Sequence, residues 1–196
     1  MRQEATRSFD QVCVNWREQS LVEGLLTKCG LEGGSILDVP CGYGRFAPLF
    51  ARLGIKAFGI DLDPEMVALA VGHQLGGDRE QGACSTVFQL PFADSSFDGV
   101  VCIRLLHLRF STEERLAIIR ELARVSRRHV IISVYHFTAL HGVARFFNST
   151  PGRVQLMTPQ QLSDLVRDSG LECQTIRCLM PYLHMQTFVV LEKKRG

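Results

Sequence analysis

The sequence predicts a single α/β domain with a doubly wound, mostly parallel sheet of seven strands, the last of them antiparallel. Short β-rich runs alternate with helical segments along most of the 196 residues, and this alternation is typical of a parallel sheet covered by helices on both faces. Near the C-terminus two β-rich runs follow one another without a helix between them, which predicts an antiparallel pair. The length is about that of one domain.

The predicted elements follow from hydrophobic periodicity and from helix caps. The strands are short apolar, β-branched runs at 35–39, 56–60, 86–90, 99–103, 129–134, 173–179 and 186–192. The helices are predicted over 8–29, 45–53, 64–71, 112–125 and 159–169. Ser111 caps the fourth helix, while Thr158 followed by Pro159 begins the fifth and Gly170 ends it. Residues 136–157 make a long connection, which predicts a functional loop or an added short helix.

Composition excludes several classes of protein. The formal net charge is +2, from 22 basic against 20 acidic residues, so a strongly basic nucleic-acid binder is not expected. The seven cysteines form no CxxC pair, which argues against a zinc site or a disulfide framework. No apolar run approaches a membrane span of about 20 residues, and no signal peptide precedes the first helix. We therefore expect a soluble, cytoplasmic protein that binds no metal; the oligomeric state is not readable.

The strongest candidate site is a glycine-containing turn after the first predicted strand. Asp38 ends that strand, Gly42 and Gly44 follow, and the next helix begins close to Gly44. Glycines allow a ligand to approach the backbone, and ligands of open α/β sheets bind at the carboxyl ends of strands. The alternative is a tight strand-to-helix connection without a ligand.

A second acidic residue ends the second predicted strand. Asp61 can accept hydrogen bonds from both hydroxyls of a ribose at this position. Asp63 and Pro64 then begin the next helix as its cap and its first residue. The competing interpretation makes Asp61 another capping or turn residue.

Together these segments resemble the class I S-adenosylmethionine-dependent methyltransferases, in particular the branch similar to ubiquinone and menaquinone biosynthesis enzymes. Asp38-x-x-x-Gly42-x-Gly44 resembles the first motif of the family, and Asp61 matches its ribose-binding acid. The resemblance continues through four further segments, namely Leu-Pro-Phe-Ala-Asp-Ser-Ser-Phe-Asp at 90–98, Leu-Leu-His-Leu at 105–108, Glu-Leu-Ala-Arg-Val at 121–125 and Met-Thr-Pro-Gln-Gln-Leu at 157–162. It implies a Rossmann-like fold, with S-adenosylmethionine as cofactor and S-adenosylhomocysteine as product.

The resemblance also assigns cofactor contacts residue by residue. Asp38 would lie near the ammonium group of the methionine part, with Gly42 and the turn backbone facing the cofactor. Asp61 would bind the ribose, and Leu62 would pack on the adenine. The remaining implied cofactor-binding positions are Pro40, Gly44, Thr86, Val87, Cys102 and Ile103.

Four positions depart from the pattern of the family. Pro40 stands where glycine is commonest, and Thr86 replaces an acid that accepts from the adenine amino group. Arg104 follows Ile103 where a polar residue commonly precedes alanine. Residues 126–129 replace a glycine-rich turn. None of the four removes the ribose acid or the two glycines.

The acceptor side is less defined. His107 is the candidate general base for a hydroxyl acceptor, or else a histidine that closes a loop. Arg104 pairs either with a carboxylate or phosphate of the acceptor or with a structural acid. Trp16, on the predicted N-terminal helical lid at 8–29, belongs either to a lid or to the core. Residues 136–157 are the expected acceptor-side cap segment, with His136 and His141 as weaker base candidates. Tyr135, just before this segment, is a further side chain that can point inward.

These observations predict an enzyme that transfers a methyl group to a small-molecule or lipid-linked acceptor, and the basic residues near its site favour an anionic one. Two alternatives stay open. One is a non-catalytic S-adenosylmethionine-binding subunit that requires a partner chain. The other is a nicotinamide-dependent oxidoreductase, which the alanine at position 47 disfavours because the dinucleotide fingerprint has a third glycine there.

Overall fold

A computed structural model describes residues 9–74, 81–136, 155–180 and 185–194 of the chain. Within these residues seven strands form one sheet in the order β3-β2-β1-β4-β5-β7-β6. The strands are β1 Ser35–Asp38, β2 Lys56–Asp61, β3 Gly82–Cys84, β4 Phe97–Cys102, β5 Ser126–Tyr135, β6 Leu171–Cys178 and β7 Gln186–Lys193. Strands β1 to β5 pair parallel, and β7 is antiparallel to both β5 and β6.

Five helices of the described residues cover the sheet: α1 Phe9–Lys28, α2 Ala47–Arg52, α3 Pro64–Gln74, α4 Thr112–Val125 and α5 Pro159–Ser169. One core cluster joins α1 and α2 to the sheet, with Leu26, Leu49 and Phe50 fully or almost fully buried. The other joins α4 and α5 to the sheet. Two separate clusters that share one sheet are expected when both of its faces are covered.

The caps explain why α4 and α5 begin where the sequence predicts. The side chains of Ser111 and Thr158 each accept a hydrogen bond from the backbone amide three residues on. The Glu or Gln side chain at that position accepts a bond from the backbone amide of the cap residue. Gly170 ends α5 in the left-handed conformation, at φ +77°. The predicted bounds of both helices are confirmed.

The predicted strand at 86–90 is wrong. The third strand is Gly82–Cys84, an edge strand of small residues that pairs only with β2. Residues 86–90 turn instead, and Thr86 Oγ1 accepts a hydrogen bond from the Phe88 amide. The β-branched pair Thr86 and Val87 predicted a strand by propensity, but backbone pairing with β2 decides the position of β3 and overrides that propensity.

No helix of the described residues is both long enough and apolar enough to span a membrane.

Candidate functional site

The carboxyl ends of the central strands meet at one edge of the sheet. Strand β1 lies between β2 and β4, with Asp38 opposite Gly59 and Val101. The chain order reverses between β1 and β4, because β2 and β3 continue on one side of β1 and β5 on the far side of β4. This reversal opens a crevice at the carboxyl ends, where open α/β sheets bind their ligands.

The turn after β1 needs both of its glycines, for different reasons. Gly42 has φ +52°, and a Cβ atom at this position would meet nothing within 4 Å. Gly44 has φ +79°, and its Cβ would lie 2.8 Å from the Ala70 Cα of α3. Gly44 is therefore required for packing, whereas Gly42 borders open space at the crevice. The bond between Val39 and Pro40 is cis.

Asp61 orders the two turns beside it. One carboxylate oxygen accepts from the Gly42 amide at 2.9 Å, and the other accepts from the Asp63 amide at 3.1 Å. The Ser85 amide donates to the Asp61 carbonyl at 3.0 Å. Asp61 is partly exposed, and each carboxylate oxygen has a second lone pair free for a ligand hydroxyl.

Asp38 has the least favourable surroundings for a carboxylate in the described structure. Its side chain is buried and neither carboxylate oxygen has a hydrogen-bond partner among the described residues. Burial raises the pKa of its carboxyl to about 8; the positive charge of Arg45 acts in the opposite direction, and Asp61 adds to the rise. A buried, unpartnered acid costs free energy unless a cation or donor satisfies it, so Asp38 fits a ligand with a positively charged donor.

The other residues expected around a cofactor lie at or shortly after the carboxyl ends of β2, β3 and β4. Cys102 and Ile103, at the end of β4, are buried, and burial next to Asp38 raises the pKa of the Cys102 thiol. Leu62 is 74% exposed beside Asp61. Thr86 is exposed and Val87 half-buried on the turn that follows β3.

Arg104 pairs with a structural acid, Glu18 of α1. Its Nε donates to Glu18 Oε1 at 3.0 Å and its Nη2 donates to Oε2 at 2.5 Å. Arg104 itself adopts the left-handed conformation, at φ +63°, and its amide donates to Ser133 Oγ at 2.8 Å. Of the two alternatives for Arg104, the structural acid is the one observed.

Glu18 is a buried acid at this edge of the sheet that sequence analysis missed. It is fully buried and also accepts from Arg45 Nη1 and, at 2.6 Å, from Gln186 Nε2. Its partners lie 27, 86 and 168 positions along the chain, so no local pattern links them. A single acid within the apolar stripe of the leading helix was the only signal available.

His107 lies on the loop between β4 and α4, against Tyr135 at the end of β5. The two rings are stacked, with centroids 4.5 Å apart and an interplanar angle of 10°. His107 Nδ1 is buried without a hydrogen-bond partner among the described residues. Burial and the nearby Arg104 lower the pKa of His107, while Glu18 opposes the effect, so the imidazole is held neutral near pH 7 and can accept a proton.

The loop around His107 is fixed from two sides. Arg115, a buried residue of α4, donates from Nε to the Leu106 carbonyl and from Nη2 to the Leu108 carbonyl, both at 3.0 Å. The Gln155 amide donates to the His107 carbonyl at 2.6 Å. Three consecutive carbonyls are therefore held in place.

The structure also describes two other candidate residues, His136 and Trp16. His136 Nδ1 bonds to the Met157 carbonyl at 2.8 Å, which gives this histidine a structural partner. Trp16 is 69% exposed, so the core alternative for Trp16 is wrong. His141 and residues 137–154 of the expected cap segment lie outside the described residues. Within the part of the chain that the structure describes, no group of three or more His, Cys, Asp or Glu side chains could hold a metal ion.

Comparisons with known proteins agree with this architecture. Residues 36–129 match the sequence family of a methyltransferase domain. The ubiquinone biosynthesis O-methyltransferase of Xanthomonas campestris pv. campestris (strain B100) is 36% identical over 101 residues, which cover 49% of this chain and 40% of that relative. The chain thus spans about two fifths of the length of the curated relatives it matches.

Solved structures share the fold. A magnesium protoporphyrin IX methyltransferase from Synechocystis PCC 6803 with bound SAH superposes with a TM-score of 0.79 at 21% identity, over 97% of this chain and 90% of that chain. A SAM-dependent methyltransferase from Methanosarcina mazei superposes with a TM-score of 0.67 at 22% identity, over 83% of this chain and 93% of that chain. The predicted Rossmann-like sheet with its antiparallel last strand is confirmed.

Proposed function

We propose that this chain, which belongs to the class I S-adenosylmethionine-dependent methyltransferases, transfers a methyl group from S-adenosylmethionine to a hydroxyl of a small-molecule acceptor. The observation that carries the proposal is Asp38, a buried acid that has no hydrogen-bond partner among the described residues and lies beside the glycine turn and Asp61. A ligand that combines an ammonium group with a ribose would satisfy both acids. The O-methyltransferase activity in the names of the curated relatives supports a hydroxyl as the acceptor atom.

The cofactor contacts proposed for the chain follow the crevice. Asp38 would bind the ammonium group, and the backbone around Pro40, Gly42 and Gly44 would face the methionine part. Asp61 would accept from the ribose hydroxyls. The remaining proposed contacts are Leu62, Thr86 and Val87 toward the adenine and Cys102 and Ile103 toward the sulfonium.

Chemistry at the acceptor requires little from the protein beyond placement and one proton transfer. S-adenosylmethionine supplies an activated methyl group, so the protein must hold the acceptor hydroxyl in line with it and exclude water. We assign His107 as the base that would take the hydroxyl proton, because its lowered pKa keeps the imidazole neutral. The methyl group would pass from the sulfonium sulfur to the acceptor oxygen, and S-adenosylhomocysteine would be the leaving group. Arg104, occupied by Glu18, is given a positioning role.

We further propose that the acceptor is partly apolar. The stacked rings of His107 and Tyr135 give its pocket an aromatic wall, and the segment 136–157 would cap it. Phe146 and Arg145 of that segment suit an apolar acceptor that carries a carboxylate or a lipid-linked phosphate. Phe146→Ala and Arg145→Ala are expected to impair turnover while S-adenosylmethionine affinity stays within about twofold; a loss of cofactor affinity would instead make the segment a cofactor lid.

We also propose that residues 1–196 act as one domain in the cytoplasm, with 8–29 as a lid over the cofactor. The free cysteines, none of them in a disulfide, support a reducing compartment.

Calorimetric titration of the purified chain with S-adenosylmethionine, S-adenosylhomocysteine and NAD tests the proposal. Binding of the first two and not of NAD is expected. Methyl transfer is then measured with labelled S-adenosylmethionine against catechols, phenolic acids and cell extracts. Binding without turnover in every extract, restored by adding a partner fraction, would support the alternative of a subunit that needs a second chain; binding of NAD alone would overturn the proposal.

A further inference from the structure

Glu18 connects α1 to three segments at the carboxyl edge of the sheet. Its carboxylate accepts four hydrogen bonds, two on each oxygen. The donors are Arg45 of the glycine turn, Arg104 of the loop after β4 and Gln186 at the start of β7. Because a carboxylate offers about four lone-pair positions, Glu18 is saturated although it is completely buried.

The two buried acids at this edge, Glu18 and Asp38, differ in their hydrogen-bond partners. Glu18 has two guanidinium partners, whereas Asp38 has no hydrogen-bond partner among the described residues. Yet the charge of Arg45 lies close enough to Asp38 to lower the pKa of that carboxyl. A guanidinium near two buried carboxylates would neutralise either one, so whatever holds Arg45 decides whether Asp38 is free.

Several contacts hold Arg45 on the α1 side. Besides Glu18, its Nη1 donates to Asn15 Oδ1 at 3.2 Å, and Gln19 Nε2 donates to its carbonyl at 3.4 Å. Its guanidinium carbon also lies 4.6 Å from the centroid of the Phe46 ring. The Arg45 side chain is 12% exposed, so water competes only weakly with Glu18 for hydrogen bonds to its guanidinium.

We propose that Glu18 is a positioning residue that holds the Arg45 guanidinium away from Asp38, so that the cofactor ammonium group meets an unpaired carboxylate. This inference rests on the proposed function. It gives α1 a role in affinity for S-adenosylmethionine without a contact between Glu18 and the cofactor. Loss of Glu18 releases Arg45 to pair with Asp38, and Arg45 then competes with the ammonium group.

The test compares Glu18→Gln with its matched control Glu23→Gln. Glu23 lies on the same helix and also pairs with an arginine, Arg52, at 3.1 Å, but at the exposed surface. Calorimetry with S-adenosylmethionine is expected to show at least tenfold weaker binding for Glu18→Gln and unchanged binding for Glu23→Gln. Parental affinity in a folded Glu18→Gln protein overturns the proposal.

A reversal experiment separates positioning from a merely structural role. Arg45→Met alone is expected to bind S-adenosylmethionine within about threefold of the parent, and the double variant Glu18→Gln/Arg45→Met is expected to recover affinity to that level. A structural defect caused by Glu18→Gln would not be repaired by removing Arg45, so failure of the double variant to recover overturns the proposal. If Glu18→Gln does not fold, Glu18→Asp replaces it, with at least threefold weakening and the same recovery expected.

A second measurement keeps the inference distinct from the proposed function. If the parent does not bind S-adenosylmethionine, the proposed function fails, but the state of Asp38 still reports on Arg45. In ¹³C-detected titrations of the ligand-free protein, the Asp38 carboxyl of Glu18→Gln is expected to titrate at least one pH unit lower than in the parent. The groups that influence this carboxyl are Arg45 and Asp61; an unchanged titration in Glu18→Gln overturns the inference.

Discussion

Asp38→Asn is expected to remove a specific pH dependence of stability. The ordinary pKa of this carboxyl is 3.8, and burial raises it to about 8 in the folded chain. Between these values the folded protein keeps a proton that the unfolded chain has lost. The stabilising contribution of this proton is therefore fully present below pH 4 and is lost as pH rises toward 8.

The magnitude follows from proton counting. One proton of difference gives a slope of about 1.4 kcal/mol per pH unit, and the shift in pKa sets an upper limit on the order of 5 kcal/mol at pH 8. This limit is comparable to the whole stability of many domains. Asp38→Asn should match the parent below pH 4 and exceed it at pH 8 by a substantial part of this amount.

Urea unfolding at half-unit pH intervals measures the effect, as the difference between parent and variant. Taking the difference cancels groups that are common to both, including His107 and His129, whose lowered pKa values give the opposite slope. Parallel stability curves for parent and variant would show that Asp38 is already ionised in the free protein and would refute the reasoning.

Binding of S-adenosylmethionine should release the same proton from Asp38. If S-adenosylmethionine meets an ionised Asp38, a group with a pKa of about 8 releases about 0.9 proton at pH 7. Calorimetry in two buffers of different ionisation enthalpy counts this proton. Asp38→Asn should abolish the release and weaken binding by roughly 3–5 kcal/mol, because the ammonium group loses its buried partner.

Three further predictions concern the other site residues. Asp61→Ala should weaken S-adenosylmethionine binding by roughly 2–3 kcal/mol, since charge-assisted hydrogen bonds are lost, while Asp63→Ala, which removes an exposed turn acceptor, should not; equal calorimetric affinities would remove Asp61 from the site. Gly42→Val should block binding with a smaller effect on folding, whereas Gly44→Ala should mainly lower the unfolding midpoint because its Cβ meets α3 backbone at 2.8 Å; a Gly42→Val protein that folds and binds normally would make the turn purely structural. His107→Gln should lower kcat by roughly 10²–10⁴-fold at unchanged cofactor affinity, and the parental rate should persist below pH 6.5 because the pKa of His107 is lowered; a rate profile that falls at or above the ordinary pKa would exclude His107 as the base.

The extent of agreement between sequence and structure follows the range of the interactions. Helices α4 and α5 are predicted to the residue because Ser111, Thr158 and Gly170 act within three or four positions of themselves. The acids that end β1 and β2 are also predicted, since strand ends and glycine turns are local features. Strand β3 is misplaced because its three residues have no strand propensity and exist as a strand only through pairing with β2.

The charged network is the part that local pattern cannot supply. Arg104 was marked by its charge beside an apolar strand, which predicts that a partner exists but not which one. Glu18 is 86 positions away from it, and its burial depends on α1 crossing the carboxyl edge of the sheet. Only the packed fold brings these groups together.

The same network determines which of the two buried acids at the carboxyl edge of the sheet is left for a ligand. Asp38 and Glu18 are both buried beside Arg45, and one guanidinium cannot satisfy both fully. The fold places Arg45 with Glu18, which already has Arg104, so both cations bind one acid, while Asp38 has no hydrogen-bond partner in the described part of the chain. Burying an unpaired acid lowers the stability of the free protein, and that loss is recovered when a cation binds. The same buried carboxylate of Asp38 therefore lowers the stability of the free protein and raises its affinity for a cationic ligand. By binding Arg45, Glu18 prevents that arginine from pairing with Asp38, which would reduce both effects.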